Sequence, residues 1–352
     1  MAASGEVLQQ PAKESDKRMN APPNDAAPVH VVTIGGGSGQ FALLSGLREM
    51  EGISITAVVS MMDSGGSTGR LRDELGILPP GDILKCVVAL SPHHTFARTI
   101  LQKRFEKDAR LIGHNAGNML LTMLSRYTGS FPSGVAALCE ILEAKGTILP
   151  VTTDPATLVA ELTDGSRIFG EQAIDMPRGH QREKIRDVFL VPHHSDTIHV
   201  YPPVIKAITA ADYILLGPGD LFTSIIPNLV VPGVADALRT SKARLIHIVN
   251  LMTKFGETHN FEAPDFVDRL EAYLKRSVDG VVYNSRLPSE EICRMYHEQK
   301  SECVRLDPEN PFWSKRTVFS GDLLESDGAV LRHHPRKLAA LLQTIFFQEN
   351  KE

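Results

Sequence analysis

Cysteine is scarce in this chain. There are four in 352 residues, Cys86, Cys139, Cys293 and Cys303, with no Cys-x-x-Cys pair and no zinc-type spacing. That excludes a disulfide scaffold and a zinc ribbon, and the thiols read as buried or incidental groups in a reducing, cytoplasmic compartment. Long apolar runs are missing, so no segment reaches membrane-spanning length and no membrane partner is expected. A basic surplus is absent too: 37 Lys and Arg stand against 42 Asp and Glu, a formal net charge of −5. No broad positive field is available to wrap a nucleic-acid backbone, so any bound phosphate must be handled locally. Internal repeats are lacking. Residues 1–28 are rich in Ala, Pro, Asn, Asp and Lys without the apolar core of a secretory signal. They are expected to form a disordered lead-in, with order over 29–348.

What remains is ordinary globular composition, 42% hydrophobic and 22% charged, long enough for one large α/β domain or two smaller ones. The informative stretch is 55–70. A β-branched run, Ile55 to Val59, predicts a buried strand, and the loop after it offers Asp63, Ser64, Gly65, Gly66, Ser67, Thr68, Gly69 and Arg70. Glycines let backbone N–H groups approach an anion, hydroxyls add donors, and Arg70 can fork onto phosphate oxygens. Asp63 is left to hold a sugar hydroxyl, a metal or a proton.

A matching unit precedes it. The strand Val29 to Ile34 ends in Gly35-Gly36-Gly37-Ser38-Gly39, followed by a helical pattern over Gln40 to Met50. Gly37, Gly39 and Ala42 satisfy the G-x-G-x-x-G/A dinucleotide fingerprint, with Asp63 near the position of a ribose-binding acid. A nicotinamide dehydrogenase is disfavoured because the second strand runs into another glycine- and hydroxyl-rich loop, which implies a phosphate-bearing ligand between the two.

Further along, helices are expected from Asp82 to Leu90 and from Thr95 to Lys107. Gly113-His114-Asn115-Ala116-Gly117-Asn118 then leads into a helix over Met119 to Tyr127, and another runs from Ser133 to Lys145. Asn115 and Asn118, three apart, either meet a ligand at the helix start or cap it. Between 147 and 175 the period changes to two around Asp164-Gly165, which predicts a small antiparallel excursion including Ile148 to Val151. Residues 176–188, with Arg178, Arg182, Lys184 and Arg186, read as a mobile, solvated surface segment or a protein docking site. The strand Tyr213 to Leu216 ends in a third glycine turn with Gly217, Gly219, Asp220, Thr223 and Ser224, and the strand Ala243 to Val249 ends at Asn250. In open α/β sheets ligands sit beyond such carboxyl ends, so the three turns should converge on one crevice. The adjacent histidine pairs 93–94, 193–194 and 333–334 read as loop and surface residues.

Taken in this order, the motifs at 34–39, 63–72, 113–118, 217–229 and 250–253 resemble those of the YvcK-like gluconeogenesis factors of the CofD-like superfamily. Its founding enzyme is 2-phospho-L-lactate transferase. The resemblance spans about 29–348 and implies a Rossmann-like fold with a mostly parallel central sheet. It also implies a cleft for a nucleotide diphosphate sugar, a UDP-sugar such as UDP-N-acetylglucosamine, and a regulatory role in carbon use, cell-wall growth and cell shape. The implied cradle is Gly36, Gly37, Ser38 and Gly39 with Gly65, Gly66, Ser67 and Thr68. Asn115 and Asn118 would line the cleft, Gly217, Gly219, Thr223 and Ser224 would complete it, and His114, inside a matched motif, either hydrogen-bonds a phosphate or orients Asn118. A homodimer is expected by analogy. The alternative is a CofD-type transferase moving a phospholactyl-like group from a nucleotide diphosphate donor, with Asp63 and Mg²⁺ offsetting pyrophosphate charge. Where many such proteins carry two aspartates this chain has Asp63-Ser64, and one carboxylate holds Mg²⁺ poorly. Asp220 replaces the missing acid only if it meets Asp63.

Overall fold

The computed structural model describes residues 27–106, 111–177, 181–325 and 330–347. Nearly all of the expected lead-in, together with Lys107 and Arg178, lies outside the described residues. Ten strands follow in chain order: β1 (Val29–Gly35), β2 (Ile53–Val59), β3 (Thr147–Pro150), β4 (Ala156–Leu162), β5 (Arg167–Phe169), β6 (Ile185–Pro192), β7 (Tyr213–Leu216), β8 (Arg244–Ile248), β9 (Gly280–Asn284) and β10 (Thr317–Gly321). Seven of them make a parallel sheet in the order β10-β9-β8-β7-β1-β2-β3, and β5-β4-β6 make a small antiparallel sheet.

The central strands explain the pattern of the sequence. Every residue of β7 is buried, as is β1 from Val31 onward, because helices cover both faces. The helix Gly37–Leu47 packs against Gly81–Leu90 and Pro335–Phe347 on one side, while Pro202–Ala210, Val234–Thr240 and Ala263–Leu274 associate on the other. Each fully buried large side chain, such as Phe222, Phe266 or Phe346, contributes about 1.5–3 kcal/mol of transfer free energy. Among the described residues no single helix is long and apolar enough to cross a membrane.

From β1 the chain builds outward through β2 to β3, then returns to β7 on the other side of β1 and builds outward to β10. The strand order therefore reverses between β1 and β7, and a crevice opens beyond their carboxyl ends.

Several expectations need correction. The segment Ile148 to Val151 joins the main sheet: β3 pairs parallel with β2, Ala57 opposite Ile148. Only β4 and β5 form the expected hairpin. Their partner β6 begins inside the segment read as mobile and runs past its end, from Ile185 to Pro192. It pairs antiparallel with β4 and buries Ile185 and Val188, while Arg186, with Arg167 of β5, binds Glu161 across the strands. The charge run masked that alternation. β10 pairs parallel with β9 without having been expected. The glycine- and hydroxyl-rich loop is shorter than it reads, because a helix starts at Gly66 and carries Ser67, Thr68 and Arg70 in its first turns. The helix expected at Met119 starts at Ala116, with Asn115 as its cap. Cys293 and Cys303 are not scattered thiols: their sulfurs lie 3.8 Å apart, both half-buried.

Candidate functional site

Three glycine-bearing segments meet at the crevice. Gly36 caps the helix Gly37–Leu47 without any side-chain cap, so the first backbone N–H groups of that helix stay open. Gly37 sits at φ +67°, a conformation that disfavours a side chain. A Cβ at Gly39 would lie 2.6 Å from the Pro218 carbonyl carbon, and one at Gly219 would lie 3.6 Å from the Gly36 oxygen. The turns after β1 and β7 thus touch, and glycine is what allows it. Gly217, at φ +83°, opens the second turn, its N–H bonded to Ile34 O (3.0 Å).

The crevice divides into two adjoining pockets. The larger, of about 770 Å³, is bounded by Gly36, Gly37, Ser38, Gly39, Asp63, Gly219, Asp220, Ser224 and Asn250 among the expected residues. The smaller, of about 300 Å³, is bounded by Gly65, Gly66, Ser67, Thr68, Asn115 and Asn118, with Arg104 and Gln102. Asp63 and Lys85 belong to both, so they form the wall between them. The single cradle implied by the resemblance is therefore divided: residues 36–39 line one compartment and residues 65–68 its neighbour.

Five expected residues border neither pocket. Arg70 is exposed and donates to the Ile112 carbonyl at 2.5 Å, because the helix beginning at Gly66 turns it away. Ser64 accepts from Gln172 N (3.0 Å) and so pins the helix Glu171–Asp175 over the site. His114 is buried with Nδ1 2.9 Å from Ser67 Oγ, orienting that hydroxyl. Gly217 shapes its turn, and Thr223 is buried 3.4 Å from both Glu257 carboxylate oxygens. Asn115 acts as the cap, its Oδ1 accepting from Asn118 N at 2.7 Å, while Asn118 Oδ1 is buried without a partner.

Asp63 and Asp220, which could share a metal only if they met, belong to different groups of charges along the larger pocket. Asp63 accepts from Gly65 N (2.9 Å) and Thr68. Burial and the neighbouring Asp82 hold its carboxyl above the ordinary range. Asp82 in turn binds Lys85 at 2.9 Å. In sequence Asp82 reads only as an acid favouring a helix start; the fold makes it the second carboxylate beside Asp63. Asp220 belongs instead to a group with Asp175 and Glu257, whose oxygens lie within 4.8 Å of one another. Lys254 serves all three, contacting Asp175, Asp220 Oδ2 (2.8 Å) and Glu257 Oε1 (3.2 Å). Burial opposes its charge, yet the three carboxylates hold the ammonium above its usual value. One cation cannot balance three acids, so Glu257, buried and facing Asp220, keeps its proton up to about 8. Glu171, half-buried and near Asp63 and Asp175, is also raised to about 8.

Sequence reasoning missed Asp82, Lys85, Glu171, Asp175 and Lys254, and it misplaced His333. That histidine was read as a surface residue; it is 5% exposed and borders the larger pocket. Its adjacency to His334 hid the fact that the segment 331–334 bridges back to Leu324 and turns alternate residues inward.

Comparison with known proteins fits this architecture. Residues 31–324 match the protein family described as 2-phospho-L-lactate transferase CofD. A Thermotoga maritima protein named "Putative gluconeogenesis factor" is 40% identical over 321 residues, 90% of this chain and 98% of the relative. The Bacillus subtilis protein named "Gluconeogenesis factor" is 36% identical over 313 residues, 89% of this chain and 96% of the relative. A crystal structure of a Bacillus halodurans protein superimposes with a TM-score of 0.83 at 35% identity, covering 90% of this chain and 99% of that one. The chain belongs to the gluconeogenesis factor family, built on a CofD-like domain.

Proposed function

We propose that the larger pocket binds a nucleotide diphosphate sugar, a UDP-sugar such as UDP-N-acetylglucosamine. Binding would let the protein act as a cytoplasmic sensor that ties carbon use to cell-wall growth and cell shape. The observation that carries this reading is the open N-terminus of the helix Gly37–Leu47 at the sheet's reversal point, faced by the Gly217–Asp220 turn. Uncapped N–H groups and the positive helix end favour a doubly charged diphosphate there. The acids Glu171, Asp175 and Asp220 border the same pocket and suit sugar hydroxyls. The relatives' names support the role in carbon use.

A transferase is the second reading, favoured by the pairing of Asp63, on the wall between the pockets, with Asp82, which borders the larger one. These two carboxylates fit a Mg²⁺ ion, since a divalent cation relieves the repulsion and burial that raise Asp63. When bound, the ion offsets charge on the diphosphate. Lys85 and Asp63 would then orient whatever group occupies the smaller pocket.

Calorimetric titration with a panel of nucleotide sugars, with and without Mg²⁺, followed by product analysis, tests both readings. Saturable binding without turnover supports the sensor; appearance of a free nucleotide and a transferred group supports the transferase. An absence of binding across the panel contradicts both.

A further inference from the structure

The larger pocket has two chemically different ends. At one end lie the glycine turns and the acids, suited to phosphates and sugar hydroxyls. At the other lie Met295, Tyr296, Val330 and Leu331, an apolar and aromatic lip that suits the flat face of a base. Tyr296 is held in place by its hydroxyl, which accepts from Leu331 N at 2.9 Å.

Deep beside this lip sits His333. One ring nitrogen bonds to the Val249 carbonyl, and Nε2 is buried without a partner. Asn250, the next residue after Val249, borders the same pocket with its Oδ1 also buried and unpartnered. A buried polar atom without a partner is costly, so two of them on the wall of one pocket mark a place where a ligand completes the bonding.

Resting on the nucleotide reading above, we infer that His333 selects the base. Its Nε2 accepts a hydrogen bond from a ring N–H, so the pocket admits uracil- or guanine-type bases and rejects those whose ring nitrogen carries no hydrogen. Burial holds the imidazole near 4, well below its ordinary value, so at neutral pH the ring is uncharged and Nε2 keeps its lone pair. The bond to Val249 fixes which nitrogen carries the proton. Cytosine would place a bare ring nitrogen against that lone pair, leaving two acceptors facing each other. Asn250 Oδ1 suits the exocyclic amine of a guanine-type base, whereas only the amide nitrogen of Asn250 can donate to the carbonyls that flank the ring N–H of uracil.

The test uses UDP and CDP, which differ only at this edge of the pyrimidine. Calorimetry on the wild-type protein is expected to give at least about tenfold tighter binding of UDP, the discrimination typical when a site built for a donor meets an analogue lacking it. In His333→Phe, which keeps a ring but removes the acceptor, UDP should weaken about tenfold while CDP changes little, so the preference collapses. His333→Gln offers an amide that donates as well as accepts, and it should regain CDP binding relative to the phenylalanine variant; it also serves if His333→Phe does not fold. Equal binding of UDP and CDP by the wild type, or an unchanged preference in a folded variant, overturns the role of His333 and leaves the nucleotide reading standing. If neither nucleotide binds the wild type, both readings fall together.

Discussion

Replacing Lys254 by Met removes the one cation that, among the described residues, contacts Asp175, Asp220 and Glu257 together. Stripping one partner from a buried ion pair costs roughly 3–5 kcal/mol, because the other charge stays buried without compensation. Here Lys254 is 30% exposed and Asp220 37%, so water screens part of the loss. At pH 7 Glu257 still holds its proton, so the loss falls on the partly exposed Asp175 and Asp220, and the expected destabilisation is about 1–2 kcal/mol. The sign with pH follows from proton counts. Glu257 titrates near 8 in the folded protein against an ordinary 4.5, so between these values the native state holds more protons than the unfolded chain. Stability from this group is complete below pH 4.5 and is lost as pH rises through 8. Without Lys254 the three carboxylates hold protons still more tightly, which extends the loss to higher pH. The deficit against wild type should shrink at pH 5 and grow toward pH 9, by up to about 1.4 kcal/mol per pH unit for each extra bound proton. Urea unfolding of both proteins at pH 5, 7 and 9 measures this. At pH 9, where Glu257 would otherwise be charged, adding Glu257→Gln to Lys254→Met should recover more than half of the loss. A Lys254→Met protein as stable as wild type at pH 9 would refute the reasoning.

Other expectations follow from the same geometry. Gly39→Ala puts a methyl group against the Pro218 backbone; it should cost about 1–3 kcal/mol in urea unfolding and weaken nucleotide-sugar binding in calorimetry, by forcing the two turns apart. Arg70→Ala should leave that affinity within about twofold, since its guanidinium binds the Ile112 carbonyl outside both pockets. Glu171→Gln removes a carboxyl that titrates near 8. It should flatten part of the wild-type decline in stability between pH 5 and 8, as read from unfolding midpoints.

The fold was largely legible because its core strands announce themselves. Val31 to Ile34, Ala57 to Val59 and Tyr213 to Leu216 are short apolar runs, each followed by a glycine turn, and this is how a parallel strand buried on both faces reads. The position of the crevice was legible for the same reason, since the turns mark carboxyl ends. Side-chain direction was not. Arg70 and Ser67 lie three residues apart on one helix, yet one faces solvent and the other is buried, and only the start of the helix at Gly66 decides that. Pairings across long separations were hidden as well. Asp63 with Asp82 needs the helix Gly81–Leu90 docked beside β2. Lys254 with Asp175 and Asp220 needs the antiparallel excursion folded back over the crevice. β6 was obscured because its ionic partners on β4 and β5 gave it the composition of a solvated segment.

The central claim is that the open helix end after β1 and the turn after β7 grip a diphosphate together. A crystal structure of the protein with a bound UDP-sugar tests this most directly. The account places the two phosphates within hydrogen-bond reach of the backbone N–H groups of Gly37 to Gly39 and of Gly219; a diphosphate seated elsewhere, with these groups left to solvent, would contradict it.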